Sequence, residues 1–222
     1  PLLADEAGTI VPGDIMGQIT ADVLGAEVVV TPISSNSGVT LKGFEAVIRT
    51  RIGSPFVIAG MEAASGAVVG YEANGGFLLG FEARGPAGPI APLMTRDCTL
   101  PLLAVLYAAR DSSVAARVAK EPPVVTLSDR LQEVSQEKSQ LLITRLLEDA
   151  AARTAFLAPL GRTEVTVDLT DGLRMILNDG AVVHIRPSGN APELRAYVET
   201  QDLSSAKKLL NDVLTHLQSL LV

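Results

Sequence analysis

Residues 186–192 read Arg-Pro-Ser-Gly-Asn-Ala-Pro, between one apolar run at 181–185 and a second at 194–198. Apolar runs of this length that are bounded by Gly, Pro and Asn predict β-strands. Because only a short stretch separates them, the two strands are predicted to be joined by a tight loop. The organisation of the C-terminal part of the chain follows from this unit.

The side chains of this loop are suited to bind an anion such as phosphate. Arg186 provides a planar guanidinium group that can donate to two phosphate oxygens at once. Ser188 and Asn190 add short polar donors, and Gly189 lets backbone N–H groups turn toward an anion. We therefore predict that Arg186, Ser188, Gly189 and Asn190 bind phosphate. The alternative is a polar hairpin loop with a surface arginine, because the same residue types are common in turns.

Further strand-like segments cluster before this loop, and a helix follows it. Short apolar segments lie at 164–168 and 173–177, and the Asn-Asp-Gly sequence at 178–180 predicts a hairpin turn. Leucines and valines after Asp202 repeat with helical spacing. Residues 155–222 are therefore predicted to form a smaller α+β domain with a mainly antiparallel sheet.

Upstream, strand-like and helix-like segments alternate along the chain. Strand candidates lie at 27–31, 46–49 and 67–71, and the Ser-Pro pair at 54–55 predicts the start of a helix between two of them. Such alternation favours a mixed or parallel sheet covered by helices. The predicted fold class is therefore α/β, with a mixed α/β sheet domain at 27–122 preceding the α+β domain.

The remaining segments are expected to connect or extend these domains. Residues 1–26 predict a hairpin followed by a helix. Residues 123–154 predict a linker that is extended at 124–127 and continues into a charged helix at 130–147. The segment 85–92 contains two Gly and three Pro, which predicts an irregular loop. Cys98 precedes an apolar helical run and is expected to lie in the core.

A second candidate site is the sequence Gly-Tyr-Glu-Ala-Asn-Gly-Gly at 70–76, between two strand candidates. Loops at strand ends of α/β sheets often bind ligands. Glu72 can accept from two adjacent hydroxyl groups, and Asn74 adds an amide. This loop therefore predicts a sugar-binding site, and the alternative is a solvated turn.

Composition excludes several other functions. The chain has 222 residues, of which 47% are hydrophobic, and a net charge of −7, so we predict no nucleic-acid partner. No apolar stretch reaches the roughly 20 residues of a spanning helix, so no membrane partner is predicted. One cysteine and two histidines do not make a zinc site, and the low cysteine content suits the cytoplasm.

Both candidate loops resemble motifs of the α-D-phosphohexomutases, which include phosphomannomutase, phosphoglucomutase and phosphoglucosamine mutase. The loop at 186–192 is similar to the family sequence Arg-Pro-Ser-Gly-Thr-Glu-Pro, with Asn190 and Ala191 in the Thr-Glu places. The sequence Arg-Thr-Arg-Ile-Gly at 49–53 resembles the family's Arg/Lys-Thr-x-x-Gly step. That resemblance implies that Arg49 meets the phosphosugar. The alternative is that Arg49 or Arg51 is a surface charge at the end of a strand.

The glycine-rich loop resembles the family's sugar-binding sequence Gly-Glu-x-Ser-Gly-His. Glu72 stands in the Glu place, Asn74 in the Ser place and Gly76 in the His place. The resemblance implies that Glu72 and Asn74 bind the sugar. Since the His is missing, it also implies that another group, or none, assists proton transfer.

The resemblance covers the chain in order and implies a domain assignment. Residues 1–26 correspond to the tail of the metal-binding domain 2, and 27–122 to the sugar-recognition domain 3. Residues 123–154 are the linker and helix, and 155–222 correspond to the phosphate-binding domain 4. The start at Pro1, just after the family's metal loop, is expected to be a cut inside a larger protein.

The resemblance also implies an activity for the full-length protein. It is expected to be an intramolecular phosphotransferase, most closely a phosphomannomutase, that interconverts hexose 6-phosphate and hexose 1-phosphate through a bisphosphosugar. Phosphoglucomutase and phosphoglucosamine mutase specificities remain alternatives. Mg²⁺, with ligands outside this chain, and glucose or mannose bisphosphate as activator are the implied cofactors.

For this chain itself, the resemblance implies binding of a hexose phosphate substrate and no turnover. No catalytic residue and no metal ligand are predicted within it, and no oligomeric state is predicted. The alternative is a free-standing module that binds sugar phosphate or another anion without catalysis. An Asp-Gly-Asp-x-Asp-Arg sequence directly upstream of Pro1 would favour the enzyme.

Overall fold

The structure, a computed structural model, describes residues 2–189 and 191–221 and divides the chain into two compact units. The first unit ends at Pro123 and the second begins at Val124. Each unit has its own sheet and its own hydrophobic core. No helix of the described residues is long and apolar enough to cross a membrane.

The first unit contains a five-stranded mixed sheet with the strand order β2-β1-β3-β4-β7. Strand β1 is parallel to β2 and β3, whereas β4 is antiparallel to both of its neighbours. Strands β5 and β6 form a separate short hairpin. The elements are α1 (Gly13–Leu24), β1 (Val28–Pro32), β2 (Ala46–Thr50), α2 (Ser54–Ala63), β3 (Val68–Tyr71), β4 (Phe77–Leu79), β5 (Ala83–Gly85), β6 (Gly88–Ile90), β7 (Leu93–Asp97), α3 (Leu100–Ala109) and α4 (Val114–Val118).

Helices cover both faces of this sheet, so the inner strand β1 is buried along its whole length. Alternate residues of a strand point to opposite faces. Val29 packs with Ala21 of α1 on one face, and Val30 packs with Val57 and Met61 of α2 on the other. Burial on both faces explains why β1 is a continuous apolar run instead of an alternating one.

Helix α1 lies close against the loop that follows β3. A Cβ atom added at Gly13 would lie 2.3 Å from the backbone nitrogen of Gly75, and one at Gly17 would lie 2.4 Å from the Tyr71 ring. Both distances are too short for any side chain. The two glycines therefore let the helix approach the loop and fix its position.

The second unit contains a five-stranded antiparallel sheet with the strand order β8-β12-β11-β10-β9. Helices α5, α6 and α7 contribute to the apolar core on one face of the sheet. The elements are β8 (Val125–Leu131), α5 (Gln136–Glu148), α6 (Ala150–Leu157), β9 (Glu164–Asp168), β10 (Leu173–Leu177), β11 (Val182–Pro187), β12 (Leu194–Thr200) and α7 (Leu203–Leu221).

The two faces of this sheet differ in polarity. Val183, Ile185 and Ala196 point into the apolar core. On the opposite face, the strand register places His184 next to Tyr197 and Arg186 next to Arg195. These polar residues therefore share one face with the start of the loop at 186–193.

The predicted fold class is confirmed, since a mixed α/β sheet precedes an antiparallel sheet with helices. Strands β9 and β10 also have the predicted bounds. The segment 123–154 differs from the expected linker and helix. Its residues 125–131 form β8, which pairs with β12 over seven positions, and the helix begins only at Gln136. The partner strand is far away in the sequence, so no local pattern signals this pairing.

Two further expectations differ from the structure. The segment 85–92 is not wholly irregular, because Ala83 pairs with Ile90 in the β5–β6 hairpin. Cys98 is exposed instead of buried. It lies in the turn before α3, where the backbone N–H of Thr99 donates to Asp97 Oδ1 at 2.7 Å, so the core-facing helix starts after it. The assignment of 1–26, 27–122 and 155–222 to family domains stays a prediction.

Candidate functional site

Four strands of the first unit end at the same edge of its sheet. Strands β1, β2 and β3 are parallel, and β7 runs in the same direction as β3 because β4 is antiparallel to both. Ligands of α/β sheets bind at the carboxyl ends of the strands. The predicted sugar-binding residues Arg49 and Glu72 both lie at this edge, beside the C-terminal end of β2 and directly after β3.

The carboxylate of Glu72 is buried and held by two donors. Its side chain is 7% exposed. Arg96 Nη2 donates to Oε2 at 2.9 Å, and Ser54 Oγ donates to the same oxygen at 2.7 Å. Ser54 opens helix α2 and Arg96 lies near the end of β7. Elements that are distant in sequence therefore fix the orientation of this carboxylate.

The loop itself is closed by its own backbone. The N–H of Gly75 donates to the carbonyl of Glu72 at 2.9 Å, and the N–H of Glu72 donates to the carbonyl of Gly76 at 3.0 Å. Asn74 is exposed, and its Oδ1 accepts from the N–H of Gly76 at 2.9 Å. Asn74 thus shapes the turn through its side-chain oxygen.

Arg49 lies at the sheet edge but reaches toward the loop after β1. Its Nη1 donates to the carbonyls of Pro32 at 3.2 Å and Ser35 at 2.9 Å. The guanidinium group therefore holds the segment that follows β1. Its predicted contact with the phosphosugar stays a prediction.

Buried polar groups stiffen the same edge. Thr31 Oγ1 hydrogen-bonds the Ser35 hydroxyl at 2.8 Å and donates to the carbonyl of Tyr71 at 2.9 Å. Burial raises the pKa of the Tyr71 hydroxyl above its ordinary value, so this group stays protonated at neutral pH. The base of the loop at 72–76 is thus made of buried, packed groups.

The predicted phosphate loop of the second unit connects β11 and β12. The N–H of Ser188 donates to the carbonyl of Glu193 at 2.9 Å, which closes the loop. A Cβ atom added at Gly189 would meet nothing within 4 Å, so this backbone is open to approach. Asn190, the fourth predicted phosphate-binding residue, lies outside the described residues.

Arg186 lies at the start of this loop and forms a long ion pair with Asp171. Its side chain is 17% exposed, and its Nε lies 3.6 Å from Asp171 Oδ1, too far for a hydrogen bond. Within residues 2–189 and 191–221, Nε finds no hydrogen-bond partner. The Nε–H of Arg186 is therefore a buried donor without a hydrogen bond, beside the carboxylate of Asp171.

A tight turn at Asp171 and Gly172 packs against the backbone of Ile185 and Arg186. Gly172 has a φ of +78°, and a Cβ atom there would lie 2.5 Å from the carbonyl oxygen of Ile185 and 2.7 Å from Arg186 Cβ. L side chains rarely adopt this φ, and the backbone leaves no room. The turn at 171–172 therefore requires glycine in order to lie against the phosphate loop.

His184 fills the space between this turn and β12. Its Nε2 lies 2.6 Å from the carbonyl oxygen of Asp171, and its ring stacks on Tyr197 at 5.1 Å. Since a carbonyl only accepts, Nε2 carries the proton. Burial lowers the pKa of His184 to about 4, so the ring is neutral at pH 7. A neutral ring here adds no positive charge beside Arg186.

A polar cavity of about 370 Å³ opens on the same face of the second unit. Glu193 bridges two arginines there, with Arg130 Nε and Arg195 Nη2 each 3.3 Å from its carboxylate. The cavity is lined by Ser128, Asp129, Arg130, Gln132, Arg195 and Tyr197.

The described part of the chain offers no donor set for a metal ion. Among residues 2–189 and 191–221, no three His, Cys, Asp or Glu side chains are grouped so that they could hold one.

Sequence reasoning missed Arg96 as a functional candidate. It belongs to β7, a strand whose residues are mostly exposed and show no apolar alternation, so no strand was predicted there. Ser54 was predicted as a helix start only. Their positions could have indicated them, because both lie at the sheet edge where Glu72 lies. Ser54 begins α2 shortly after β2 ends, and Arg96 is the next-to-last residue of β7.

Comparison with known protein families matches both units. The description "Phosphoglucomutase/phosphomannomutase, alpha/beta/alpha domain III" matches residues 12–125. The description "Phosphoglucomutase/phosphomannomutase, C-terminal domain" matches residues 134–216. Together these two matches include both candidate loops.

Individual relatives agree with the family matches. A phosphomannomutase of Sinorhizobium fredii is 41% identical and one of Salmonella muenchen is 39% identical, over 100% and 99% of this chain. The chain spans about half the length of these relatives, 48% and 47%. A phosphoglucomutase/phosphomannomutase family protein of Burkholderia thailandensis has the same fold, with a TM-score of 0.70 and 17% identity over 99% of this chain and 44% of its own.

Proposed function

The chain belongs to the phosphoglucomutase/phosphomannomutase family, and on this premise we propose that it is the substrate-recognition half of a phosphomannomutase. The whole protein would interconvert mannose 6-phosphate and mannose 1-phosphate through a bisphosphosugar. The observation that carries the proposal is the identity of about 40% to two phosphomannomutases along the whole chain.

In this proposal the second unit binds the phosphate that is not reacting. Arg186 supplies the charge, Ser188 supplies a hydroxyl, and the open backbone at Gly189 supplies an N–H donor. Asn190 is the fourth residue proposed to bind the phosphate. The geometry supports this role because Arg186 Nε makes no hydrogen bond among the described residues. A charged donor without a firm partner gains most from a doubly charged ligand.

The first unit binds the sugar ring. Glu72 accepts hydrogen bonds from sugar hydroxyl groups, and Asn74 contributes its amide. Arg49 holds the segment after β1 and also contacts the phosphosugar. Binding energy from the sugar and the remote phosphate is used to orient the reacting oxygen, which raises the rate beyond what tight binding alone would give.

The chemical step would take place on residues outside this chain. Magnesium held there would offset the charge of the transferred phosphoryl group. Glucose or mannose bisphosphate would act as activator, and the low cysteine content supports a cytoplasmic location. In this chain, the residues named above bind and orient the substrate.

Two measurements test the proposal. The complete protein should interconvert mannose 6-phosphate and mannose 1-phosphate in a coupled assay, faster than it does the glucose or glucosamine compounds. The 222-residue chain alone should bind mannose 6-phosphate but show no turnover with or without magnesium. Turnover by the isolated chain, or a complete protein without mutase activity, would contradict the proposal, and binding without any mutase activity would favour a free-standing binding module.

A further inference from the structure

Arg96 closes over the sugar loop from strand β7. Its side chain is 48% exposed, while that of its partner Glu72 is 7% exposed. Arg96 Nη2 and Ser54 Oγ both donate to Oε2 of Glu72, at 2.9 and 2.7 Å. The two protein donors therefore converge on one oxygen of the carboxylate.

This arrangement leaves polar groups of both residues available. Among the described residues, Oε1 of Glu72 accepts no hydrogen bond, and Arg96 donates only to Glu72. A guanidinium group has five N–H donors. A free acceptor and several free donors thus lie side by side at the carboxyl edge of the sheet.

Gly76 makes the room that Arg96 occupies. A Cβ atom added at Gly76 would lie 2.7 Å from Arg96 Cγ and 2.8 Å from its Nε. A side chain at position 76 would therefore push Arg96 off the loop and away from Glu72. The loop contributes no side chain of its own at this position, and the arginine from β7 covers it.

We propose that Arg96 is a sugar-binding and positioning residue that acts as a pair with Glu72. One hydroxyl of the hexose donates to Oε1 of Glu72, and the neighbouring hydroxyl accepts from the Arg96 guanidinium group. The pair thereby selects sugars with two adjacent free hydroxyls. This inference rests on the proposed function, because it requires that the first unit bind the sugar.

The first test measures binding to the 222-residue chain by calorimetry. Arg96→Met keeps the aliphatic stem but removes the donors, and should weaken binding of mannose 6-phosphate about tenfold or more. Binding of inorganic phosphate should not change. Arg110→Met is the matched control, since Arg110 is 53% exposed and has one exposed ion pair, with Asp111. It should bind both probes like the wild type.

The outcomes separate this inference from the proposed function. The wild-type chain is expected to bind mannose 6-phosphate more tightly than inorganic phosphate. If the Arg96→Met variant shows the same ratio of affinities, the role of Arg96 is refuted, whereas the proposed sugar site is not. If wild-type chain shows no such preference, the first unit binds no sugar, and both proposals fail.

A second test distinguishes contact with hydroxyls from a purely structural role. Analogues of mannose 6-phosphate that lack the 3- or the 4-hydroxyl should bind the wild type more weakly. In the Arg96→Met variant, the analogue that lacks the hydroxyl contacted by Arg96 should bind with the same affinity as mannose 6-phosphate. Equal losses in both proteins for both analogues would show that Arg96 contacts neither hydroxyl and would overturn the proposal.

A third test uses the space at Gly76. Gly76→Ala should weaken mannose 6-phosphate binding by displacing Arg96, but should have little further effect in an Arg96→Ala background. Circular dichroism melting checks that each variant is folded. If the two substitutions lower the affinity independently, Gly76 does not act through Arg96 and this part of the inference is wrong.

Discussion

The loop after β3 and the loop after β11 each present a charged side chain, but the protein holds the two charges differently. Glu72 receives two hydrogen bonds from Arg96 and Ser54, at 2.9 and 2.7 Å. Arg186 Nε lies 3.6 Å from the carboxylate of Asp171, beyond hydrogen-bond distance. The difference fits the ligands proposed for them. A sugar hydroxyl is neutral, so a buried carboxylate that binds it needs a counter-charge from the protein. A phosphate brings its own charge, so the arginine needs no close carboxylate.

The two loops also differ in what supports them. The proposed sugar loop, residues 72–76, contacts helix α1 at Gly13 and lies at the edge of a sheet covered on both faces. The proposed phosphate loop, which follows Arg186, joins two antiparallel strands and contacts the turn at Gly172. His184 binds the same turn through the carbonyl of Asp171. Each support can be altered separately, which gives direct tests of the comparison.

The largest expected effect comes from the turn beneath the phosphate loop. Gly172→Ala should lower the free energy of unfolding of the second unit by about 3 kcal/mol or more, because a positive φ and a backbone clash act together. Urea denaturation measures this. Gly189→Ala is the control within the open part of the same loop, and its cost should stay within about 0.5 kcal/mol. Equal costs at the two positions would show that the turn does not support the loop.

His184 should make the stability of the second unit depend on pH. Above pH 6.5 the imidazole is neutral in both the folded and the unfolded chain. Between pH 6.5 and about 4 only the unfolded chain takes up the proton, so stability falls as the pH falls, and it stops falling below about 4. The total loss should be about 3 kcal/mol.

Urea unfolding at pH 7 and pH 4.5 measures this loss. The variant His184→Gln keeps an N–H donor but does not titrate in this range, so its stability should change less between the two pH values than that of the wild type. If the wild type and the variant lose equal stability on acidification, His184 is not the group responsible.

Arg186 should matter more for ligand binding than for folding. Arg186→Ala should weaken phosphate binding by the chain, and slow the complete enzyme, about tenfold to hundredfold, since a charge-assisted hydrogen bond contributes roughly 1.5–3 kcal/mol. Arg186→Lys should restore only part of this, because an ammonium group cannot form the bidentate contact. Unchanged kinetics in Arg186→Ala, or a soaked crystal with phosphate elsewhere, would refute the assignment of the phosphate loop.

Glu72 should show the smallest effect, and only with sugar ligands. Glu72→Gln keeps the size but removes the charge, so each hydrogen bond it accepts becomes weaker by about 1 kcal/mol. Affinity for mannose 6-phosphate should fall roughly fivefold, while affinity for inorganic phosphate should not change. A loss for both ligands would show that the two loops do not have separate roles.

Local sequence patterns predicted much of the second unit. The apolar segments at 164–168 and 173–177 predicted the bounds of β9 and β10 correctly, because turn residues along the chain mark where each segment ends. The loop at 186–192 was found in the same way. Strand β8 was not predicted over its full length, since its pairing with β12 depends on residues that are distant along the chain.

In the first unit, the sequence identified Glu72 but not the residues that surround it. The glycine-rich loop is a local feature, and it marked the carboxylate directly. Arg96 and Ser54 reach Glu72 only because β7 and α2 end and begin at the same edge of the sheet. These contacts depend on the order of the strands in the sheet, and no local sequence pattern encodes that order.

The sequence by itself determined the types of group available, namely a carboxylate and an arginine on two glycine-containing loops, because these are covalent properties of short segments. Only the tertiary structure decided how each charge is balanced. It placed Arg96 against Glu72 and left Arg186 with Asp171 at 3.6 Å. Coulomb energy and hydrogen bonding depend on distances through space, and those distances are set by how the strands pack.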